Sequence, residues 1–241
     1  MPVMTDLPRK TMGIIGGVGP GSTAVFYRNV VRRHAQRAGG RLPALIVYSL
    51  PMEPQIETAM LEAGATSGPE VDRLIAMLEA GVGALSRAGV DAIVMPCNTL
   101  QAYLPSLVER AGLPYIHLIA ETVNDIRRRG YERPAVICTA PMRALGLYQA
   151  ELESHSVPYV LPTDSEQTHI TRTILDTLHQ ASPDPNALLR PVVRRLETVA
   201  DSILLGCSDL TAFEDPAFTR LPVVDAMKVL VEATVVFLLT E

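Results

Sequence analysis

The chain has 241 residues and a formal net charge of −5 at pH 7, with 48% hydrophobic and 20% charged residues. This balance excludes a disordered or fibrous chain, and the length suffices to bury a core in one large domain or two small ones. The acidic sign excludes the electrostatic footprint of a nucleic-acid binder, and no apolar run reaches the roughly 18 residues of a membrane-spanning helix.

Short apolar runs alternate with helical periodicity along the whole chain. Strands are predicted at Met12–Ile15, Ala44–Tyr48, Ala92–Met95, Tyr115–Leu118, Ala135–Cys138, Tyr159–Leu161, Ser202–Leu205 and Val223–Val224. Helices are predicted between them at Ser22–His34, Val71–Ala88, Leu100–Ala111, Glu121–Arg129, Arg143–Ser154, His169–His179 and Ala187–Val199, with Met227–Leu239 closing the chain. This alternation implies a parallel α/β architecture, in which ligands collect at the carboxyl ends of the strands. The opening residues lack a signal peptide's apolar stretch, so a cytoplasmic protein is expected.

An internal echo carries more information than any single motif. Ile93-Val94-Met95-Pro96-Cys97-Asn98-Thr99-Leu100 is matched by Ile203-Leu204-Leu205-Gly206-Cys207-Ser208-Asp209-Leu210, with the two cysteines 110 positions apart. Downstream, Leu113-Pro114-Tyr115-Ile116 is matched by Leu221-Pro222-Val223-Val224. A period this long is not that of a solenoid and points to two similar α/β halves, each with one cysteine at a strand end. The expected domains are 1–112 with 215–241, carrying Cys97, and 113–214, carrying Cys207. The halves are expected to face each other, related by pseudo-two-fold symmetry.

With three cysteines, no CxxC pair and scattered histidines, neither a disulfide framework nor a metal site is expected. The residues after Cys97 and Cys207 are good helix caps, so a helix N-terminus is expected beside each sulfur, favouring thiolate and able to hold a carboxylate. Two such halves suit a two-base racemase, in which one thiolate removes an α-proton and the other thiol protonates the opposite face. The competing reading is that cysteines at strand ends are ordinary core residues. Cys138, in an apolar strand without a capping partner, is read as structural.

These blocks resemble the aspartate/glutamate racemase superfamily, whose members work without pyridoxal phosphate. The resemblance rests on Met12-Gly13-Ile14-Ile15-Gly16-Gly17-Val18-Gly19-Pro20, on Met95-Pro96-Cys97-Asn98-Thr99, on Leu204-Leu205-Gly206-Cys207-Ser208-Asp209-Leu210, and on Gly146-Leu147-Tyr148. It implies two α/β domains with an interdomain cleft, usually a homodimer, no cofactor, Cys97 and Cys207 as acid and base, and Asn98, Thr99 and Ser208 at the substrate carboxylate. The expected substrate is an amino acid or a close derivative.

Where this chain departs from the family, its substrate is in question. Members often carry an arginine in the loop after the second strand, yet Ser49–Thr58 contains no arginine or lysine and Ile56 takes that place. A pocket lined by Met52, Ile56, Met142 or Leu145 is therefore expected, favouring a bulkier side chain less acidic than aspartate's, with Val18 and Thr139 also expected to bind the substrate. Glu53 or Glu57 would meet a cationic one, and Arg143 would restore the charge from another direction. Related branches, hydantoin-type racemases and isomerases among them, remain open, as does an inactive ligand-binding homologue. The glycine loop also resembles a dinucleotide loop, but the second strand lacks the acidic residue that such a site needs.

Overall fold

A computed structural model describes residues 10–53, 55–56, 59 and 67–240. The opening residues and Glu57, named above, lie outside them. The chain divides into two compact units, with the divisions after Leu118 and after Val229.

The first unit is built on a parallel sheet of β1 (Thr11–Gly16), β2 (Ala44–Ser49), β3 (Ala92–Val94) and β4 (Tyr115–Ile116), in the order β2-β1-β3-β4. β1 and β3 are unbroken apolar runs, buried from Met12 to Gly16 and throughout Ala92–Val94, as interior strands covered on both faces must be. The register runs Thr11↔Ala44 on one side of β1 and Met12↔Ala92 on the other. Helices α1 (Pro20–Arg37), α2 (Pro69–Arg87) and α3 (Leu104–Arg110) each carry proline in their first two positions, where no backbone hydrogen bond is lost. A Cβ on Gly81 of α2 would stand 2.9 Å from the Tyr48 ring and 3.1 Å from Ile15 Cδ1, so glycine there lets α2 close on the sheet.

The second unit holds the parallel strands β5 (Pro134–Cys138), β6 (Ser202–Gly206) and β7 (Val223–Asp225), in that order. Helix α4 (Leu118–Arg128) leads into β5; α5 (Ala140–Leu145), α6 (Leu147–Ser154), α7 (Asp164–Leu178) and α8 (Leu189–Leu196) lie between β5 and β6 in sequence. Ile170 and Ile174 of α7 and Leu189, Val192, Val193 and Leu196 of α8 form one core with Ala135, Ile137, Ile203 and Leu205. A capping box at Thr163 and Glu166 starts α7, ahead of the predicted His169. Helix α9 (Ala226–Leu239) closes the chain. In each unit the strand leading to the cysteine lies between two parallel neighbours, β3 between β1 and β4, and β6 between β5 and β7.

Several expectations differ from the structure. The helix drawn over Arg143–Ser154 is two helices, because Gly146 takes the left-handed conformation at φ 65° and ends the first. The helix drawn from Leu100 is a single 3-10 turn, Thr99–Ala102, followed by α3, whose early proline marks a fresh start. The strand drawn over Tyr159–Leu161 shrinks to one parallel bridge from Val160 to Ala135, on the edge of β5 that β6 leaves open. The domain borders also lie elsewhere. β4 pairs with β3 and so falls with the first sheet, whereas β7 pairs with β6 and falls with the second. Strand pairing, which the sequence pattern does not encode, places the first division just after β4, while the second falls inside the closing helix.

Candidate active site

Within the first unit, Val18 follows β1, Met52 and Ile56 follow β2, and Cys97, Asn98 and Thr99 follow β3. All six lie beyond the carboxyl ends of three adjacent parallel strands. Gly17 has φ 92°, and a Cβ there would stand 2.6 Å from the backbone N and O of Leu50, so glycine alone lets the β1 and β2 loops close together. Leu50 N donates to Gly16 O at 2.9 Å, and Gly17 N donates to Thr23 Oγ1 at 3.1 Å. Val18 and Met52 are half-buried, while Ile56 is fully buried.

Cys97 is half-buried; Asn98 and Thr99 are buried. Beneath them Gln101, buried at 2% exposure, donates from Nε2 to Met95 O at 3.1 Å and to Cys97 O at 2.9 Å. Its Oε1 accepts the Tyr115 hydroxyl at 2.5 Å. Burial holds the Tyr115 phenol well above its ordinary pKa; the Gln101 bond opposes this and charge at Cys97 adds to it. Neither Gln101 nor Tyr115 was singled out by the sequence. The available signal was a polar side chain just after the cysteine motif, in a stretch otherwise packed as core.

Within the second unit, Thr139 and Met142 follow β5, while Cys207 and Ser208 follow the adjacent β6. Thr139 is a true N-cap, with extended backbone and its side chain accepting from Met142 N at 3.4 Å. Met142 is fully buried, Thr139 half-buried and Ser208 exposed. Arg143 pairs with Asp164 at 2.8 Å. Cys207 is buried against Leu210, Ala212 and Phe213, and its Sγ donates to Asp209 Oδ2 at 3.8 Å. Burial raises the Asp209 carboxyl above its ordinary pKa, with the Cys207 bond acting in the opposite sense. Cys138, on β5, is pushed up to about 12 by burial, with Arg143 opposing.

The expected helix N-termini beside the two thiols are corrected. Thr99–Ala102 follows Cys97 and Thr211–Glu214 follows Cys207, each a four-residue 3-10 turn with little dipole to offer. Asn98 has helical backbone at φ −68°, ψ −48° and makes no side-chain cap, because a capping residue needs extended backbone. Among the described residues, no group of three or more His, Cys, Asp or Glu could hold a metal ion, and no helix is long and apolar enough to cross a membrane.

Fold and site together define a parallel α/β protein of two units, each with a thiol beyond the carboxyl end of an interior strand. The sequence profile of the Asp/Glu/Hydantoin racemase family matches residues 15–234, and the chain belongs to that family. It is an isomerase of the racemase class. It is 26% identical over 235 residues to the broad specificity amino-acid racemase RacX of Bacillus subtilis strain 168, covering 93% of this chain and 96% of that one. The fold is shared with a putative Asp/Glu racemase from Yersinia pestis, at TM-score 0.83 and 24% identity, covering 96% of this chain and 100% of that one. It is also shared with aspartate racemase of Picrophilus torridus, at TM-score 0.73 and 20% identity, covering 95% and 94%.

Proposed function

We propose that the chain is a cofactor-independent amino-acid racemase or epimerase in which Cys97 and Cys207 act as acid and base on opposite faces of the substrate Cα. One sulfur, as thiolate, takes the α-proton; the other, as thiol, gives its proton to the opposite face, so the two exchange protonation states in each turnover. Asn98, Thr99 and Ser208, with the amides beside them, hold the α-carboxylate and stabilise the charge that develops as the proton leaves. The observation that carries the reading is the repeated placement of a cysteine just beyond an interior parallel strand in both units.

The substrate side chain we propose is neutral rather than that of aspartate. The loop after β2 has no cation, Ile56 and Met142 are fully buried apolar groups, and Arg143 is already engaged by Asp164. An acidic side chain buried among such groups would be uncompensated. The relative from B. subtilis, named for broad specificity, is consistent with a site not tuned to one acidic substrate.

The test is proton NMR of the purified protein in deuterated water with pooled L- and D-amino acids and no added cofactor. Loss of an α-proton signal with wild type, abolished by Cys97→Ala and by Cys207→Ala, is the expected result, and the resonance lost names the substrate. Exchange that survives either substitution would overturn the two-thiol mechanism. Exchange confined to aspartate would overturn the neutral side chain.

A further inference from the structure

The loop bearing Cys97 is held from behind by the Gln101 side chain. Both hydrogens of the Gln101 amide are used on backbone carbonyls, those of Met95 and Cys97, and its oxygen is used by the Tyr115 hydroxyl. The two carbonyls bracket Pro96, whose ring fixes φ near −65° and which has no N–H of its own. A four-residue turn follows the loop, with Gln101 N bonded to Asn98 O at 3.2 Å. The far end of the clamp is fixed too. Tyr115 sits on β4 in register with Ile93 of β3, the strand that leads to the cysteine, and its ring meets His117 edge-on at 5.4 Å between centroids. The chain is thus pinned at the strand, at both carbonyls and at the turn.

We infer that Gln101 is a positioning residue for Cys97: its amide, itself oriented by Tyr115, fixes the Met95 and Cys97 carbonyls and thereby the direction in which the Cys97 thiol points. The inference rests on the proton-transfer role proposed for Cys97 and adds the device that aims it. Proton abstraction from carbon needs the sulfur on line with the Cα–H bond, and a small misplacement there is costly. A carboxamide suits the task because it supplies two donors and one acceptor in a rigid plane without adding charge beside a thiolate. Tyr115 suits it because burial keeps its phenol neutral where a thiol ionises.

The experiment compares wild type, Gln101→Leu and Tyr115→Phe as full-length proteins. Alkylation of each cysteine by iodoacetamide is followed across the thiol titration range by peptide mass spectrometry, with circular dichroism and melting as folding controls. Gln101→Leu is expected to move the pH profile of Cys97 alkylation and change its rate, while the profiles of Cys207 and Cys138 stay as in wild type. Tyr115→Phe is expected to do the same to a smaller extent. With an exchanging amino acid, kcat of Gln101→Leu falls about tenfold or more while KM changes little. A general loosening of the fold would move all three cysteines together and would overturn the inference, as would a folded Gln101→Leu whose Cys97 profile overlays wild type. Should Gln101→Leu fail to fold, Tyr115→Phe, which deletes one oxygen, decides: an unchanged Cys97 profile overturns the inference. Absence of α-proton exchange by wild type would sink the racemase proposal and leave this alkylation readout intact.

Discussion

The ring of Tyr148 lies against Gly206, the residue immediately before Cys207. A Cβ on Gly206 would stand 2.7 Å from Tyr148 Cε2 and 3.1 Å from Cys138 Cβ. The ring is fully buried, and it reaches this place because the chain turns at Gly146 and starts a new helix at Leu147. Backbone at the cysteine and ring therefore meet with no room for a methyl group.

Gly206→Ala is accordingly expected to cost about 1–3 kcal/mol, because a fully buried ring must move and cannot do so by rotating a flexible end. Racemisation should fall further than stability explains, since the strain is applied one residue from Cys207. Gly21→Ala is the control: it lies in α1 with nothing within 4 Å of its added methyl. Removing a helical glycine there should stabilise by about 0.5 kcal/mol. Denaturant midpoints of the two variants check both signs, and a Gly206→Ala midpoint equal to wild type would show that Tyr148 does not seat against this strand.

The parts of the fold legible in the sequence are those written in contiguous residues. β1, β3, β5 and β6 are apolar runs buried on both faces, and the motif repeated around Cys97 and Cys207 shows as a spacing. What escaped depends on pairing partners and on local backbone conformation. Neither Tyr115 nor Val223 announces which sheet its strand will join, and pairing decides it. Asn98 has the composition of a cap but takes helical backbone, and composition cannot distinguish the two. Gln101 escaped because its importance lies in three acceptor and donor groups on other residues.

Cys138 provides a pH-dependent prediction. Burial holds its thiol near 12 against an ordinary value of 9.0, so the fold favours the protonated form. Its contribution to stability is therefore complete below about 9 and is lost as pH rises toward 12. The stability advantage of wild type over Cys138→Ala should narrow across that interval in parallel denaturation series. At neutral pH the substitution should cost about 1 kcal/mol and leave α-proton exchange in place, because the thiol is un-ionised and packed in a strand. Loss of exchange in a folded Cys138→Ala would contradict a purely structural cysteine.

Asp209 acts on the thiol of its neighbour in the same sense, toward the protonated form. Its carboxyl is raised above 3.8 by burial, with the bond from Cys207 opposing. The fold thus favours protonated Asp209. That contribution is present below 3.8 and lost as pH climbs through the raised value, so Asp209→Asn should gain on wild type over that climb. The same substitution removes a negative group that disfavours thiolate on Cys207. Iodoacetamide should then label Cys207 faster at neutral pH than in wild type, with Cys138 unaffected. An equal or slower rate at Cys207 would show that the 3.8 Å contact has no influence on the thiol.

Two buried glutamines separate a side chain that aims a residue from one that fills space. Gln167 donates from Nε2 to Cys138 O at 3.0 Å, while its Oε1 is buried with no hydrogen-bond partner among the described residues. Gln167→Met gives up one bond and also removes an oxygen that already bears the cost of burial, so its net effect should lie within about 1 kcal/mol of wild type. Gln101→Leu strands two carbonyls and a phenol hydroxyl at once, and should cost at least about 2 kcal/mol. Urea denaturation of both variants at one pH makes the comparison direct, because the slopes should match and only the midpoints differ. Equal midpoints would mean that solvent or a neighbouring group replaces the Gln101 bonds at no net cost.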